Sequence, residues 1–232
     1  MTFTAATWNV FHGTPAPVIA STLAASRQRG VSVWLLQELS DPAARAAIRD
    51  LGLHLGFSPR QYGIAWDSEV WTSVAPGHRE RLAQTPYFRK GGGPEQFSDA
   101  HLEILSDRLG RTLTALSYHA PPAVQRPNPP ASRWKALQET AASWRRLANE
   151  SQARACLFGG DDNVDERLRF GPWAFMLQAT TGLRQVTASR PTHGKVRKID
   201  DFRVRGLRPL GDGKVFNTAS DHRIYEQRFD WR

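Results

Sequence analysis

The segment VSVWLLQEL, from Val31 to Leu39, is apolar at almost every position and does not alternate between apolar and polar residues. This pattern is typical of a strand that is buried on both faces, so the sheet that contains it must be covered on both sides. ARACLF, from Ala153 to Phe158, is a second apolar segment of strand length. A chain with such strands is expected to fold into stacked layers of sheets and helices.

Three longer segments predict helices. One helix is expected to follow Thr14 and to end at Gly30, and another follows Asp41 and ends near Gly52, because each begins with a capping residue and a proline. From Trp134 to Ala148, apolar residues recur at helical spacing and predict one amphipathic helix.

Further strands are predicted in TFTAATWNV, QYGIAW, EVWTSV, HLEIL, RTLTALSYH, KIDDFRV and IYEQRFDW. QYGIAW and EVWTSV flank Asp67 and Ser68 and are expected to pair as a hairpin. Residues 76–97 predict a loop, and WAFMLQ, residues 173–178, predicts a short helix. Many strands with few helices favour an α/β fold of two sheets with helices outside them, in one domain of residues 1–232.

The chain is strongly basic, with a formal net charge of +9 and a sequence pI near 10.4. Such a charge is the electrostatic footprint of a nucleic-acid binder, although a basic, solvated surface is the alternative explanation. Four basic residues cluster in RPTHGKVRK, namely Arg190, Lys195, Arg197 and Lys198. We expect these four to bind substrate.

The single cysteine, Cys156, excludes an intramolecular disulfide framework and fits a reducing compartment. The longest apolar runs are too short to cross a bilayer, and the N-terminus lacks the features of a signal peptide. We therefore expect a cytoplasmic monomer that does not act on a membrane.

Polar side chains follow the predicted strands at the points where they end. These residues are Asn9, Glu38, His119, Asp161, Asn163, Asp200, Asp221 and His222. Ligands of α/β proteins gather at strand ends, where loops project side chains into a crevice. Any one of these residues alone would be ordinary turn chemistry, so the prediction of a site depends on the whole set.

Hydrolysis of a phosphate ester needs such a set. A hard divalent cation such as Mg²⁺ prefers oxygen ligands and stabilises charge that develops on the phosphate. A neutral histidine can take a proton from the attacking water, and a carboxylate on its other nitrogen fixes the tautomer. The sequence contains no HExxH, CxxC, P-loop or GxGxxG motif, which disfavours zinc and nucleotide-loop sites.

The segments TWNV, LLQE, SYHAP, GGDDN, KIDDF and SDHR resemble, in this order, the motifs of the endonuclease/exonuclease/phosphatase superfamily. This superfamily includes DNase I and the abasic-site endonucleases, and the resemblance covers nearly the whole chain. It implies a four-layer sandwich in which two mixed sheets pack face to face with helices outside.

The resemblance also implies roles on the metal side of the site. Glu38 is the expected central metal ligand, with Asn9 beside it, and Asp221 is an additional metal or water ligand. The expected cation is Mg²⁺, with Mn²⁺ as an alternative, and the number of metal ions stays open.

On the reaction side, Asp161 and Asn163 match the family's G-D-x-N segment, where they orient the nucleophilic water and the phosphate. Asp162 falls at the variable position and is expected to be dispensable. The terminal S-D-H motif makes His222 the general base or a phosphate-contacting histidine, with Asp200 as its orienting partner.

His119 corresponds to the histidine of DNase I-type enzymes, which could donate a proton to the leaving oxygen or contact the phosphate. Those enzymes carry a carboxylate ahead of the strand that corresponds to QYGIAW, where this chain has Arg60 or Gln61. The sequence therefore offers no evident carboxylate partner for His119.

Together these features predict a Mg²⁺-dependent phosphodiesterase that cleaves nucleic acid, DNA before RNA, as an endonuclease or an exonuclease. One alternative is a phosphatase or phosphodiesterase that acts on a small or lipid phosphoester. The other is a catalytically silent nucleic-acid-binding module that keeps the fold.

Overall fold

The computed structural model describes residues 2–59, 61–88, 95–122, 131–163, 181–194 and 197–232. The predicted helix at residues 173–178, Arg60, Lys195 and part of the predicted loop at residues 76–97 lie outside this set. Among the described residues, no helix has the length and apolar character needed to cross a membrane.

In chain order the elements are β1 (Thr2–Asn9), α1 (Ala16–Gln28), β2 (Val31–Gln37), α2 (Pro42–Asp50), β3 (Leu53–Ser58), β4 (Tyr62–Asp67), β5 (Trp71–Arg81), β6 (Tyr87–Phe88), β7 (Glu95–Gln96), β8 (Asp99–Asp107), β9 (Thr112–His119), α3 (Ala131–Glu150), β10 (Ala155–Asp161), β11 (Arg184–Thr187), β12 (Asp200–Arg205), β13 (Leu207–Phe216) and β14 (Ile224–Trp231).

Two mixed sheets of six strands each form the centre of the fold. Sheet I has the order β13-β14-β1-β2-β4-β3, and sheet II has the order β11-β12-β10-β9-β8-β5. Each sheet contains one parallel pair, β1 with β2 in sheet I and β9 with β10 in sheet II, while the other pairs are antiparallel. A two-stranded ribbon of β6 and β7 lies apart from them.

The layers follow from which face of each strand is apolar. Leu35 of β2 and Leu157 of β10 belong to the core between the two sheets. The preceding residue of β2, Trp34, packs on the outer face of sheet I in one cluster with Leu23 of α1. Trp144 of α3 belongs to the cluster on the outer face of sheet II. The predicted four-layer sandwich, with β2 buried on both faces, is confirmed.

The predicted hairpin between β4 and β5 is wrong. β4 pairs with β2 and β3 in sheet I, whereas β5 pairs with β8 in sheet II. The turn after Asp67 is real, since the Val70 amide donates to the Asp67 carbonyl oxygen at 3.0 Å. It carries the chain from one sheet to the other because Trp71 enters the core between them, where its indole nitrogen donates to Ser32 Oγ at 3.0 Å.

The predicted loop at residues 76–97 also begins too early. β5 continues through Arg81 as an edge strand of sheet II, with irregular register between Ser73 and His78. Pro76 lies within this irregular part, which is where an edge strand tolerates a residue without an amide hydrogen.

The two parallel pairs end on the same side of the sandwich. Asn9, the last residue of β1, lies opposite Gln37 of β2, and His119 of β9 lies opposite Asp161 of β10. Asp161 is in turn opposite Asp200 of β12. The strand ends named by the sequence motifs therefore meet at one edge of the fold.

Candidate active site

Asn9 joins the carboxylates of the two sheets. Its Nδ2 donates to Glu38 Oε1 at 3.2 Å and to Asp161 Oδ2 at 3.4 Å. Its Oδ1 accepts the main-chain amide of Phe11 at 3.1 Å. Because that amide can only donate, the oxygen of Asn9 must face Phe11 and the nitrogen must face the carboxylates. In this orientation Asn9 positions Glu38 and Asp161, and coordination of a metal by its oxygen stays a prediction.

His222 and Asp200 form the predicted pair. Nδ1 of His222 lies 2.9 Å from Oδ2 of Asp200 and 3.1 Å from Oδ1, and both side chains are buried. Thr192 Oγ1 accepts the main-chain amide of Asp200 at 3.1 Å, which fixes the start of β12. The other ring nitrogen, Nε2, lies 3.6 Å from Oδ2 of Asp161.

The charges around His222 alter its titration. Burial disfavours the protonated ring, but the negative charges of Asp200 and Asp161 outweigh this effect and raise the pKa of His222 from 6.5 to about 10. Burial also raises the pKa of Asp200, against the opposing effect of His222. Without a bound cation, His222 is therefore an imidazolium at neutral pH.

His119 lies between the two carboxylates that Asn9 joins. Its Nδ1 is 3.6 Å from Glu38 Oε1 and its Nε2 is 3.4 Å from Asp161 Oδ2. Glu38 and Asp161 are thus the carboxylate partners of His119, which the sequence did not reveal. The main-chain carbonyl oxygen of Gln61 accepts the main-chain amide of Leu39 at 3.0 Å.

The G-D-x-N segment forms a fixed turn. The Asn163 amide donates to Asp161 Oδ1 at 2.7 Å, and Asn163 Nδ2 donates to the carbonyl oxygen of Ala120 at 2.8 Å. Oδ1 of Asp161 is therefore used by the turn, while Oδ2 faces Asn9, His119 and His222.

Left-handed backbone is concentrated at this edge. Among the described residues, the non-glycine positions with positive φ are Phe11 at 58°, Glu38 at 58°, Gln61 at 83° and Asn163 at 53°. Each such residue costs on the order of 1 kcal/mol, and strain of this kind gathers at functional sites. Glu38 and Asn163 are predicted site residues, and the other two make hydrogen bonds to Asn9 and Leu39.

His12 is a residue that the motifs do not contain and that the structure brings into the site. Nε2 of His12 lies 3.2 Å from Glu38 Oε2, and its Nδ1 lies 3.1 Å from Ser40 Oγ. The only signal in the sequence is that His12 follows the end of β1 by three residues, a spacing that many structural loop histidines share.

Asp221 is the most exposed of the predicted catalytic and metal-binding residues with a described contact at the site, and its role as a metal or water ligand stays a prediction. Its side chain is 52% exposed, and its Oδ2 is 3.3 Å from Nε2 of His193. The ring of His193 meets the ring of His222 edge-on, with centroids 4.5 Å apart. Asp221, His193 and His222 offer ligand atoms within 4.8 Å of one another, as do Asp161, Asp200 and His222.

The basic loop, residues 190–194 and 197–198, borders His222. The backbone of His193 forms bridges to both Arg197 and His222, so Arg197 lies one step away from the site. Arg190 and Arg197 are exposed and Lys198 is half-buried. Their predicted contact with substrate, like that of Lys195 outside the described residues, stays a prediction.

Asp162 faces away from the site, as expected, and its contacts indicate a role in stability that the sequence did not reveal; that it is dispensable for hydrolysis stays a prediction. Its side chain is buried against the face of sheet II that carries Tyr118 and Arg203. Tyr118 donates to Oδ1 of Asp162 at 2.6 Å, and the buried guanidinium of Arg203 contacts Oδ2. Asp201 lies in the same cluster, and burial raises its pKa well above the usual range. Arg203 lies closer to Asp162 than to Asp201, whose Oδ2 is 3.8 Å from the guanidinium, so Asp162 is its nearest counterion.

No protein-family model matches the sequence, and no curated protein matches it. Solved structures do resemble the chain over its whole length. They include an endonuclease/exonuclease/phosphatase family protein from Bacteroides thetaiotaomicron, with 14% identity, a TM-score of 0.75 and coverage of 100% of this chain and 98% of that one.

Two further structures extend the likeness. The mannosyl-6-phosphatase Bt3783 of B. thetaiotaomicron has 15% identity, a TM-score of 0.69 and coverage of 99% of this chain and 100% of that one. D. rerio TDP2, in complex with single-strand DNA product, has 13% identity, a TM-score of 0.68 and coverage of 99% of both chains. The protein therefore has the DNase I-like fold of the endonuclease/exonuclease/phosphatase proteins, as the resemblance of its motifs predicts.

Proposed function

We propose that the protein is a divalent-metal-dependent phosphoester hydrolase and, within that class, a phosphodiesterase of nucleic acid. The observation that carries the proposal is a continuous row of contacts. The pair of His222 and Asp200 lies beside Asp161, and the side chain of Asn9 links Asp161 to Glu38. Each member is buried or nearly so, and stability alone gives no reason to collect them at the edge of two sheets.

The donors at this edge fit a hard divalent cation. Glu38 and Asp161 both approach one amide nitrogen, so their negative charges lie close together without a neutralising lysine or arginine among the described contacts. Carboxylate oxygens are the ligands that Mg²⁺ and Mn²⁺ accept. Glu38, with Asp161 beside it, would hold the ion, which would stabilise the charge that builds up on the phosphate.

His222 is the proposed general base. Asp200 holds Nδ1, so the proton-accepting nitrogen is Nε2, which faces Asp161, the residue proposed to orient the attacking water. A base must be neutral, whereas the metal-free ring has a pKa of about 10. Because the charge of Asp161 contributes to this value, a cation that offset that charge would lower the pKa of His222. Base catalysis is therefore expected to depend on the metal.

His119 is the proposed proton donor to the leaving oxygen. Its Nε2 and Nε2 of His222 approach the same oxygen of Asp161, at 3.4 and 3.6 Å. Two imidazoles at one carboxylate suit a displacement in which one ring removes a proton from water while the other supplies one to the leaving group. Asn163, fixed by its turn, is proposed to orient the phosphate.

The charge of the chain favours nucleic acid over other phosphoesters. The net charge is +9, and the exposed Arg190 and Arg197 belong to the loop that borders His222. Phosphate backbones attract such residues through release of counterions. One similar structure contains a single-strand DNA product and another is a mannosyl-6-phosphatase, so the fold alone permits both classes.

DNA, before RNA, is the proposed partner, and a monomer in the cytoplasm is the proposed state. The buried position of the single cysteine, Cys156, is compatible with a reducing compartment.

The test is hydrolysis of plasmid, single-stranded DNA, RNA, bis-p-nitrophenyl phosphate and inositol phosphates, with Mg²⁺ and with EDTA. We expect cleavage of DNA and of bis-p-nitrophenyl phosphate in Mg²⁺ only. Cleavage restricted to phosphate monoesters would favour the phosphatase, and no cleavage together with salt-dependent DNA binding would favour the silent binding module.

A further inference from the structure

The two oxygens of the Glu38 carboxylate have different neighbours. Oε1 accepts from Asn9 at 3.2 Å and lies 3.6 Å from His119. Oε2 lies 3.2 Å from Nε2 of His12. Each oxygen of the central carboxylate therefore has an imidazole beside it.

The second nitrogen of His12 is also held. Nδ1 lies 3.1 Å from Ser40 Oγ, and the Ser40 amide donates to the Glu38 carbonyl oxygen at 2.8 Å. One tight turn thus presents both the carboxylate and the hydroxyl group that orients the ring of His12. A histidine whose far nitrogen is held by a hydrogen bond while its other nitrogen points at a carboxylate is arranged like a metal ligand.

The backbone on the His12 side is fixed as well. The Phe11 amide donates to Asn9 Oδ1 at 3.1 Å, and the Thr14 amide donates to the Phe11 carbonyl oxygen at 3.0 Å. Phe11 and Glu38 both have left-handed backbone in these two turns. A partly exposed pair such as His12 and Glu38 stabilises the fold only a little, so the pair alone does not explain the strained backbone at Phe11 and Glu38.

The spacing fits ligation as well as a hydrogen bond. Two adjacent ligands of one octahedral ion, each about 2.1 Å from it, lie about 3 Å apart. The 3.2 Å between His12 Nε2 and Glu38 Oε2 is close to this value. Asn9, in contrast, turns its nitrogen and not its oxygen to Glu38, so an ion held by Glu38 meets the nitrogen of His12 before the oxygen of Asn9.

We propose that His12 ligates, through Nε2, the divalent cation that Glu38 holds, which makes the centre a mixed nitrogen–oxygen site. The proposal rests on the proposed function only in that Glu38 holds a cation. Imidazole is a better ligand for first-row transition ions than for Mg²⁺, which prefers oxygen. Mn²⁺ is the weakest-binding of these ions, and with one imidazole among the ligands we expect the site to bind it more tightly than Mg²⁺.

The experiment measures Mn²⁺ binding to the full chain after removal of metals, by titration calorimetry and by electron paramagnetic resonance. We expect His12→Ala to weaken Mn²⁺ binding by about 10- to 100-fold, to weaken Mg²⁺ binding less, and to remove a ¹⁴N coupling from the spectrum of the bound ion. His78→Ala is the matched control, since His78 also pairs with a glutamate, at 3.6 Å from Glu80, but on the edge strand β5.

Unchanged Mn²⁺ affinity and an unchanged ¹⁴N coupling in His12→Ala, with both variants folded by circular dichroism, would overturn the ligand and leave His12 as a hydrogen-bond partner of Glu38. If Mg²⁺-dependent hydrolysis persisted in that case, the hydrolase proposal would stand. A wild-type protein that binds Mn²⁺ through His12 but cleaves no phosphoester would support the ligand and contradict the hydrolase.

Discussion

The imidazole of His222 lies 2.9 Å from the carboxylate of Asp200, and both side chains are buried, so water does not compete for their hydrogen bond. Asp200 stands at the first position of β12 and His222 two residues before β14, so the pair links the two sheets. It joins the two motifs KIDDF and SDHR, which are 22 residues apart in the chain.

Replacing Asp200 should disable catalysis more than folding. Asp200→Asn keeps the shape but removes the charge that fixes the tautomer of His222, so we expect kcat for bis-p-nitrophenyl phosphate to fall by about 10²- to 10⁴-fold. Asp230→Asn, which alters an exposed pair with Arg208, is the control and should retain full activity. Equal activity in the two variants would remove Asp200 from the mechanism.

The metal-free protein should lose stability as the pH rises. The pKa of folded His222 is about 10, above its ordinary value of 6.5, so its contribution is fully present below about pH 6.5 and is lost through about pH 10. Urea denaturation in EDTA should show a falling midpoint across this window, and His222→Gln should show a flatter dependence. The same slope in both proteins would contradict the raised pKa.

Asp162→Asn should destabilise the fold. It removes the nearest charged partner of Arg203, whose guanidinium is fully buried, and loss of one partner of a buried pair costs about 3–5 kcal/mol. The double variant Asp162→Asn/Arg203→Met should lose less than the sum of the two single losses, by chemical denaturation. A loss below about 0.5 kcal/mol for Asp162→Asn would show that another group neutralises Arg203.

Gly160→Ala should displace the site through the backbone. A Cβ at Gly160 would overlap the carbonyl oxygen of Tyr118 on the neighbouring strand β9, so β9 and β10 must separate. Asp161 follows directly, and we expect both a lower denaturation midpoint and a loss of hydrolysis. Gly110→Ala, in the turn between β8 and β9 with open space at its Cβ, tests whether backbone strain alone has this effect.

The basic loop should act on nucleic acid only. Arg190→Ala/Arg197→Ala should raise KM for DNA and reduce the slope of log affinity against log salt by about 2, because two phosphate contacts are lost. Hydrolysis of bis-p-nitrophenyl phosphate should not change. Arg208→Ala, on the exposed β13 strand, is the control. An unaltered salt slope would contradict contact between this loop and the phosphate backbone.

The polar strand ends could be read from the sequence because each lies beside a local pattern. The continuous apolar run of β2 required covering layers on both faces, and the alternation and turns around it marked where Asn9, Glu38 and Asp161 leave the sheets. Two sheets with helices outside them, and most element types, followed from such local patterns, whereas the four-layer sandwich was implied by the resemblance of the motifs.

Only the tertiary structure decided which strands and side chains distant in the sequence contact each other. β4 and β5 are separated by one turn yet lie in different sheets, because the burial of Trp71 between the sheets outweighs local pairing. Asp162 has the sequence of a turn residue and becomes the counterion of a buried arginine 41 residues away. His12 acquires its place from the turn at Glu38 and Ser40. The sequence by itself determined which chemistry the strand ends could carry, and only the packing of two sheets, which depends on contacts distant in the chain, decided which of those groups touch.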